Sequence, residues 1–222
     1  MVFKSLRRAM GVGGPTVDTV LENPVTRPGE VLGGAVRLTG GERGVEIERI
    51  VLTLVTRAGA RTVELTQQEV GGGFRLPAGV SHEVPMRLMV PLNTPVTHVY
   101  GERVPGLAVG VRTDLEVAFA VDPGDLDPVA VHPLPAEAAA LEAFRALGFR
   151  LKSADVSQVF EFWVAPQYQD VTTEVAVGFT TGADEVELVL DGRLRTRHER
   201  REQVDWAAQV DRLMRQIGHI RQ

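Results

Sequence analysis

Val17-Asp-Thr-Val-Leu-Glu22, Arg27-Pro-Gly-Glu-Val31 and Gly34-Ala-Val-Arg-Leu38 follow one another near the start of the chain and decide its fold. They read as a strand, a tight turn and a second strand. Pro28 presets φ for the turn, and Gly29 supplies a positive φ without steric cost. The alternation of apolar and polar residues on either side places half of each strand against a core. A chain that opens this way is building an antiparallel sheet.

The same grammar continues outward. After the turn Gly40-Gly-Glu-Arg-Gly44, the stretch Glu46–Arg57 carries Ile50, Leu52 and Leu54 on one face with period two. Ala58-Gly-Ala60 turns the chain, and Arg61–Val70 is expected to pair back. Ser81–Val90 alternates, with Val84, Met86, Leu88 and Val90 on one side. Leu107–Val121 reads as a strand pair or one bent strand, with Leu115, Val117, Phe119 and Val121 facing inward and Asp114 and Glu116 outward. Short strands at this spacing, separated by Gly and Pro turns, are the pattern of a sandwich. Leu52, Leu54, Val84, Met86, Leu88, Val117 and Phe119 are its expected interior.

Asp122–Pro135 carries four prolines and is expected to be an extended connector. This gives three expected spans: a sandwich over 1–125, a connector over 126–134 and a second domain over 135–222. In the second domain, Pro135 suits a first helical position and Gly148 the place just past a helix end. Ala140, Leu141, Phe144 and Leu147 form the stripe between them. Ser157–Val164 and Val171–Thr180 read as strands. Asp191-Gly192 joins Val186–Leu190 to Arg193–Arg197 as a type I′ hairpin. Glu202–Ile217 has apolar residues at helical spacing and is expected to pack on its own domain or against a twin in a homodimer. Near the start, residues 3–10 are expected to form two helical turns. Those turns either dock on a sheet edge, the favoured reading, or touch an anionic membrane surface.

Several motifs, in order, resemble the SpoOM family of bacterial sporulation-control proteins, which are built like arrestins. They are the opening strand–turn–strand, the leader Met1–Gly14, Val84-Pro-Met-Arg-Leu-Met-Val-Pro91 with Asn93-Thr-Pro-Val-Thr97, Val111–Glu116, Asp122–Asp127, Val129-Ala-Val-His-Pro133 and Ala143–Leu151. The resemblance implies a mainly β fold: an arrestin-like β-sandwich followed by a smaller α+β or divergent second arrestin-like domain. It implies a regulatory scaffold acting through protein–protein contacts, with no catalytic residue, cofactor or metal to carry over.

Composition narrows the chemistry. The 222 residues carry a net charge of −5, which gives no reason to expect nucleic-acid binding. No cysteine is present, so disulfides, zinc-thiolate sites and thiol catalysis are excluded. Arginine outnumbers lysine by 22 to 2, a bias read as genome composition. No serine has a nucleophile-elbow context, and the histidines lack metal-site spacing. The glycine clusters fit neither a Walker loop nor a dinucleotide fingerprint. Asp122, Asp125 and Asp127 read as turn acids rather than calcium ligands. The leader lacks the apolar core of a signal peptide, and a cytoplasmic location is the expectation.

The edge strands of the first domain are the first candidate partner surface, since an unpaired edge offers a ladder of donors and acceptors to an incoming peptide, and two further surfaces stand out beside them. The long connection Leu92–Gly106 contains Val96, Tyr100 and Arg103, and loops of that length in compact domains are often functional. Arg193, Arg195 and Arg197, with Arg200 and Arg201 beyond, are a dense basic cluster fit for an acidic partner or for phosphate. The competing reading, which is favoured, pairs them with Glu185, Glu187, Glu199 and Glu202 on a solvated strand. An unidentified protein is the expected partner. A carbohydrate module or enzyme needs more exposed aromatics or paired carboxylates, and only Trp163 and Trp206 are available.

Overall fold

A computed structural model describes residues 8–9, 13–117, 120–122, 126–200 and 202–220. These form two compact units. The first takes in residues up to Thr94 together with Ala108–Val131; the second takes in Pro95–Leu107 and everything from His132 on. The expected connector is therefore not one: Leu126–Val131 is a strand. Pro128 sits within it, and Val129 and Val131 turn inward to the core. Two buried valines at period two outweigh the proline as a local signal.

The elements run in order β1 Arg8–Ala9, β2 Thr16–Leu21, β3 Val25–Thr26, β4 Val31–Thr39, β5 Val45–Ala58, β6 Arg61–Gly71, β7 Phe74–Leu76 and β8 Ser81–Met89. Next come β9 His98–Val99, β10 Glu102–Arg103, β11 Leu107–Val117, β12 Ala120–Asp122 and β13 Leu126–Val131. The rest is α1 Pro135–Ala146, β14 Arg150–Ala154, β15 Val159–Trp163, a 3-10 turn at Pro166–Tyr168, β16 Glu174–Thr181, β17 Glu185–Leu190, β18 Leu194–Glu199 and α2 Trp206–Ile220.

The first unit is a sandwich of two sheets. One has the order β1-β2-β4-β8; the other has β3-β13-β11-β5-β6, with β7 on β5 and β12 on β11. The opening turn forms as expected: Gly29 has φ 84°, and Glu30 N–H donates to the Arg27 carbonyl. Residues 8 and 9 are strand, paired with Val17 and Thr16, not helix. The edge of β2 offers backbone partners that a short helix with three apolar residues lacks. The rest of the expected 3–10 helix lies outside the described residues, as does Phe119.

Alternation along each strand sends one side chain in two into the core. Ile50, Leu52 and Leu54 of β5 meet Leu32, Val36 and Leu38 of β4 and Met86 and Leu88 of β8, all buried. Each such side chain contributes about 1.5–3 kcal/mol through burial. Val117 is only partly buried against this core. One polar pair crosses the interior, where the Thr19 and Thr113 hydroxyls are 2.6 Å apart and satisfy each other.

The second unit is an antiparallel meander, β14-β15-β16-β17-β18, with two helices and the two-stranded sheet of β9 and β10. Phe160 and Phe162, Val175 and Val177, and Val186, Leu188 and Leu190 form its buried face. Phe144 of α1 stacks on Phe162 at 5.1 Å and meets Phe149 edge-on at 5.1 Å. β14 had no clear signal in the sequence, because Arg150–Ala154 mixes charged and small residues.

Asp191 and Gly192 have φ of 49° and 67°, the pair of positive values that a type I′ turn requires. The last helix starts later than expected. Asp205 caps it, its Oδ1 accepting from Ala208 N–H at 3.0 Å and its carbonyl from Gln209 N–H. Residues 202–204 therefore stay outside the helix.

Candidate protein-interaction site

The segment 95–107 is not a free loop. Pro95, Val96, Thr97, Val99, Val104 and Leu107 are buried, and β9 and β10 pair within it. Val96 is only 2% exposed, so its side chain is core and unavailable to a partner. Tyr100 is half-buried, with φ 56°, and donates its hydroxyl to the Leu141 carbonyl of α1. The Arg145 guanidinium lies 5.2 Å from the centre of the Tyr100 ring. Burial pushes the Tyr100 phenol well above its usual range. Of the three candidates on this segment, Arg103 alone is exposed, and one of its guanidinium nitrogens is 3.4 Å from the Leu107 carbonyl. Apolar residues spaced among prolines pinned this stretch to its unit, a tertiary effect that loop length alone conceals.

His98 and His132 stack in the same unit at 5.4 Å with ring planes 18° apart. Burial, then the neighbouring His132 and Arg103, hold the His98 imidazole below its usual range. Thirty-three positions of sequence separate these histidines, and nothing in either local context announces the contact.

Arg193 lies in the hairpin turn and is exposed. Arg195 and Arg197 share the outer face of β18 and converge on Glu187 of β17, at 3.3 and 3.1 Å. Arg197 also reaches Glu185 at 3.7 Å. Arg200 donates to the Gly182 and Ala183 carbonyls. The cluster is thus largely a solvated strand face with cross-strand ion pairs, as the favoured reading has it. Arg201 lies outside the described residues.

Farther along the same outer face, Trp163 is 40% exposed, and Lys152 Nζ sits 4.7 Å from the centre of its ring. Glu174 holds that lysine at 2.6 Å. Trp206 is buried against His198 at 5.2 Å. Val210, Leu213, Met214 and Ile217 of α2 are buried with it, so the apolar stripe of this helix is used within its own unit.

Glu137 escaped the sequence reading. It is buried in the first turn of α1, accepting from Leu134 N–H at 3.0 Å and from the Thr181 hydroxyl. The spacing Leu134-Pro-Ala-Glu137 is the available signal, a Glu three residues past the cap. Burial raises its carboxyl above the usual range, against the two hydrogen bonds and Arg200. Tyr168 donates to Asp211 of α2 at 2.8 Å and Arg215 donates to the same carboxylate at 2.9 Å, which together hold the acid low. Burial and that carboxylate push the Tyr168 phenol up to about 12.

Among the described residues no group of three or more His, Asp or Glu side chains is placed to hold a metal. Of the three acids at 122–127, Asp125 is not described. No helix among the described residues is long and apolar enough to cross a membrane.

The longest strand at a sheet edge is β6, whose side chains from Arg61 to Glu64 and from Gln67 to Glu69 are exposed.

Known proteins place this arrangement. The family model described as SpoOM protein matches residues 3–195, well past the motifs quoted above and as far as β18. The sporulation-control protein spo0M of Bacillus subtilis (strain 168) is 31% identical over 216 residues, covering 88% of this chain and 81% of that protein. The crystal structure of Spo0M from Bacillus subtilis superposes with a TM-score of 0.81 at 26% identity, covering 93% of this chain and all of that one. The fold is accordingly mainly β and arrestin-like, and the chain belongs to the SpoOM family of sporulation-control proteins.

Proposed function

We propose that this protein is a non-catalytic, cytoplasmic regulator that works by binding another protein through its β-surfaces. The observation that carries the reading is membership of a sporulation-control family over nearly the whole chain. The geometry supports it. The conspicuous titratable groups hold structure: Glu137 caps a helix, Tyr168 and Asp211 tie a turn to α2, and Arg195 and Arg197 neutralise Glu187. Strand edges carry backbone donors and acceptors, and main-chain pairing at an edge supplies affinity without a deep pocket.

The test uses the full chain as bait in extract of its source cell, followed by reconstitution with the purified candidate. The expected result is a protein enriched at least about tenfold over an unrelated β-sandwich bait, binding the purified chain with a Kd of about 1 μM or tighter. Failure of every enriched protein to bind on reconstitution overturns the reading. So does a turnover by the pure chain that a single pocket substitution abolishes.

A further inference from the structure

Resting on the protein-binding reading, the question narrows to which edge and what occupant. The edges differ sharply. β1 and β3 are two residues long. β8 carries Pro85 in mid-strand, a residue that cannot donate. β14 and β18 have five and six residues. β6 has eleven, without proline or lysine, and β5 is its one paired strand among the described residues.

Two extra residues on β6, Leu65 and Val70, interrupt its pairing with β5. Such bulges guard an edge by bending it. They leave Arg61–Glu64 in regular register with Val55–Ala58. At its far end β6 meets the other sheet, where Val84 Cγ1 lies 3.1 Å from the place a β-carbon on Gly71 would occupy. The Arg61–Glu64 end is the open one.

Its two faces differ in chemistry. Val63 stands opposite Thr56 on the side of the core and is 39% exposed. Glu64 stands opposite Val55 on the outer side; its carboxylate meets Arg112 at 2.8 Å and is still more than half exposed. A strand added here sets its side chains about 4.5–5.5 Å from these two.

We propose that Arg61–Glu64 is a docking edge for an extended segment of a protein partner, in which an apolar side chain covers Val63 and a basic side chain lies beside Glu64. Backbone pairing gives the affinity, and the alternation of apolar and basic residues gives the register.

The test is fluorescence anisotropy on the full chain with a labelled seven-residue probe alternating valine and lysine. Three results are expected. The probe binds at least about tenfold more tightly than its valine–glutamate counterpart. Methylating one alternate set of its amide nitrogens weakens it at least about tenfold, while methylating the other set does not. Val63→Lys weakens it at least about tenfold, and Glu64→Lys removes the preference for lysine over glutamate. Circular dichroism melts within a few degrees of the parent certify both variants as folded, since both positions are surface-exposed.

The docking edge is overturned if both methylated probes bind like the parent, if Val63→Lys binds undiminished, or if no probe binds at millimolar concentration. It is also overturned, with the protein-binding reading left standing, if Val63→Lys still captures the reconstituted partner at full affinity. Self-association in sedimentation that Val63→Lys abolishes makes a second copy the occupant and rejects the partner segment.

Discussion

The two units bury their sheets by different means. The first closes two sheets on each other, so a buried strand such as β5 needs only period-two alternation, and Ile50, Leu52 and Leu54 supply it. The second covers its five-stranded sheet with helices. Its core includes aromatic contacts, Phe144 of the helix on Phe162 of the sheet and on Phe149, that join helix to sheet. Sheet-on-sheet packing is written locally in each strand. Helix-on-sheet packing depends on where a helix lands, and it places caps and buried carboxylates at the landing points.

Both tryptophans, Trp163 and Trp206, belong to the second unit, so tryptophan fluorescence reads that unit while far-ultraviolet circular dichroism reads both. Phe144→Ala is expected to cost about 3–5 kcal/mol and to move the fluorescence midpoint in denaturant. Leu54→Ala is expected to cost about 2–5 kcal/mol and to move the dichroism midpoint more than the fluorescence midpoint. Equal shifts of both signals by both variants break the comparison and make the units one cooperative block.

A smaller effect tests the helix cover alone. Asp205→Ala removes the acceptor for Ala208 N–H and is expected to cost about 1 kcal/mol in fluorescence-monitored unfolding. Asp205→Asn restores most of that, because its carbonyl oxygen accepts the same bond; no recovery means that the cap is not what Asp205 provides.

Smaller again is the pH response of Glu137. Its folded-state carboxyl titrates above the unfolded one, so its contribution is fully present below the unfolded value and is lost as pH rises through the raised folded value. Glu137→Gln is therefore expected to flatten the decline in second-unit stability as pH rises above the unfolded carboxyl's value of about 4.3. A variant whose stability falls with pH as steeply as the parent's removes Glu137 as the cause.

The smallest effect belongs to the first unit's surface. The Arg37–Glu83 pair, 2.9 Å apart with both side chains more than half exposed, should matter little. Arg37→Ala is expected to change stability by less than about 0.5 kcal/mol. A loss above about 1 kcal/mol means that the outer face of this sheet is less solvated than its exposure indicates.

The alternation in β2, β4, β5 and β8, the Pro28-Gly29 and Asp191-Gly192 turns and the Pro135 start of α1 were all legible residue by residue. Each is a short-range consequence of pleat, fixed φ or tolerated positive φ, and the strands so defined match the structure to within a residue or two. The candidate site was legible only in part. Arg195 and Arg197 were placed correctly beside Glu187 because strand neighbours are calculable across a two-residue turn. The burial of Val96 and Tyr100 was not legible, because it depends on partners from elsewhere in the chain, as when Leu141, some forty residues on, accepts the Tyr100 hydroxyl.

By itself, then, the sequence determined the strands, the tight turns, the resemblance of its ordered motifs to the SpoOM family, and the absence of cysteine chemistry. Tertiary structure decided that 95–107 belongs to the second unit, that Leu126–Val131 is strand rather than connector, that the stripe of α2 is consumed at home, and that β6 ends its sheet. The division has a physical basis. Backbone sterics and side-chain period act over a few residues, whereas burial is conferred by partners that the chain brings in from far along its length.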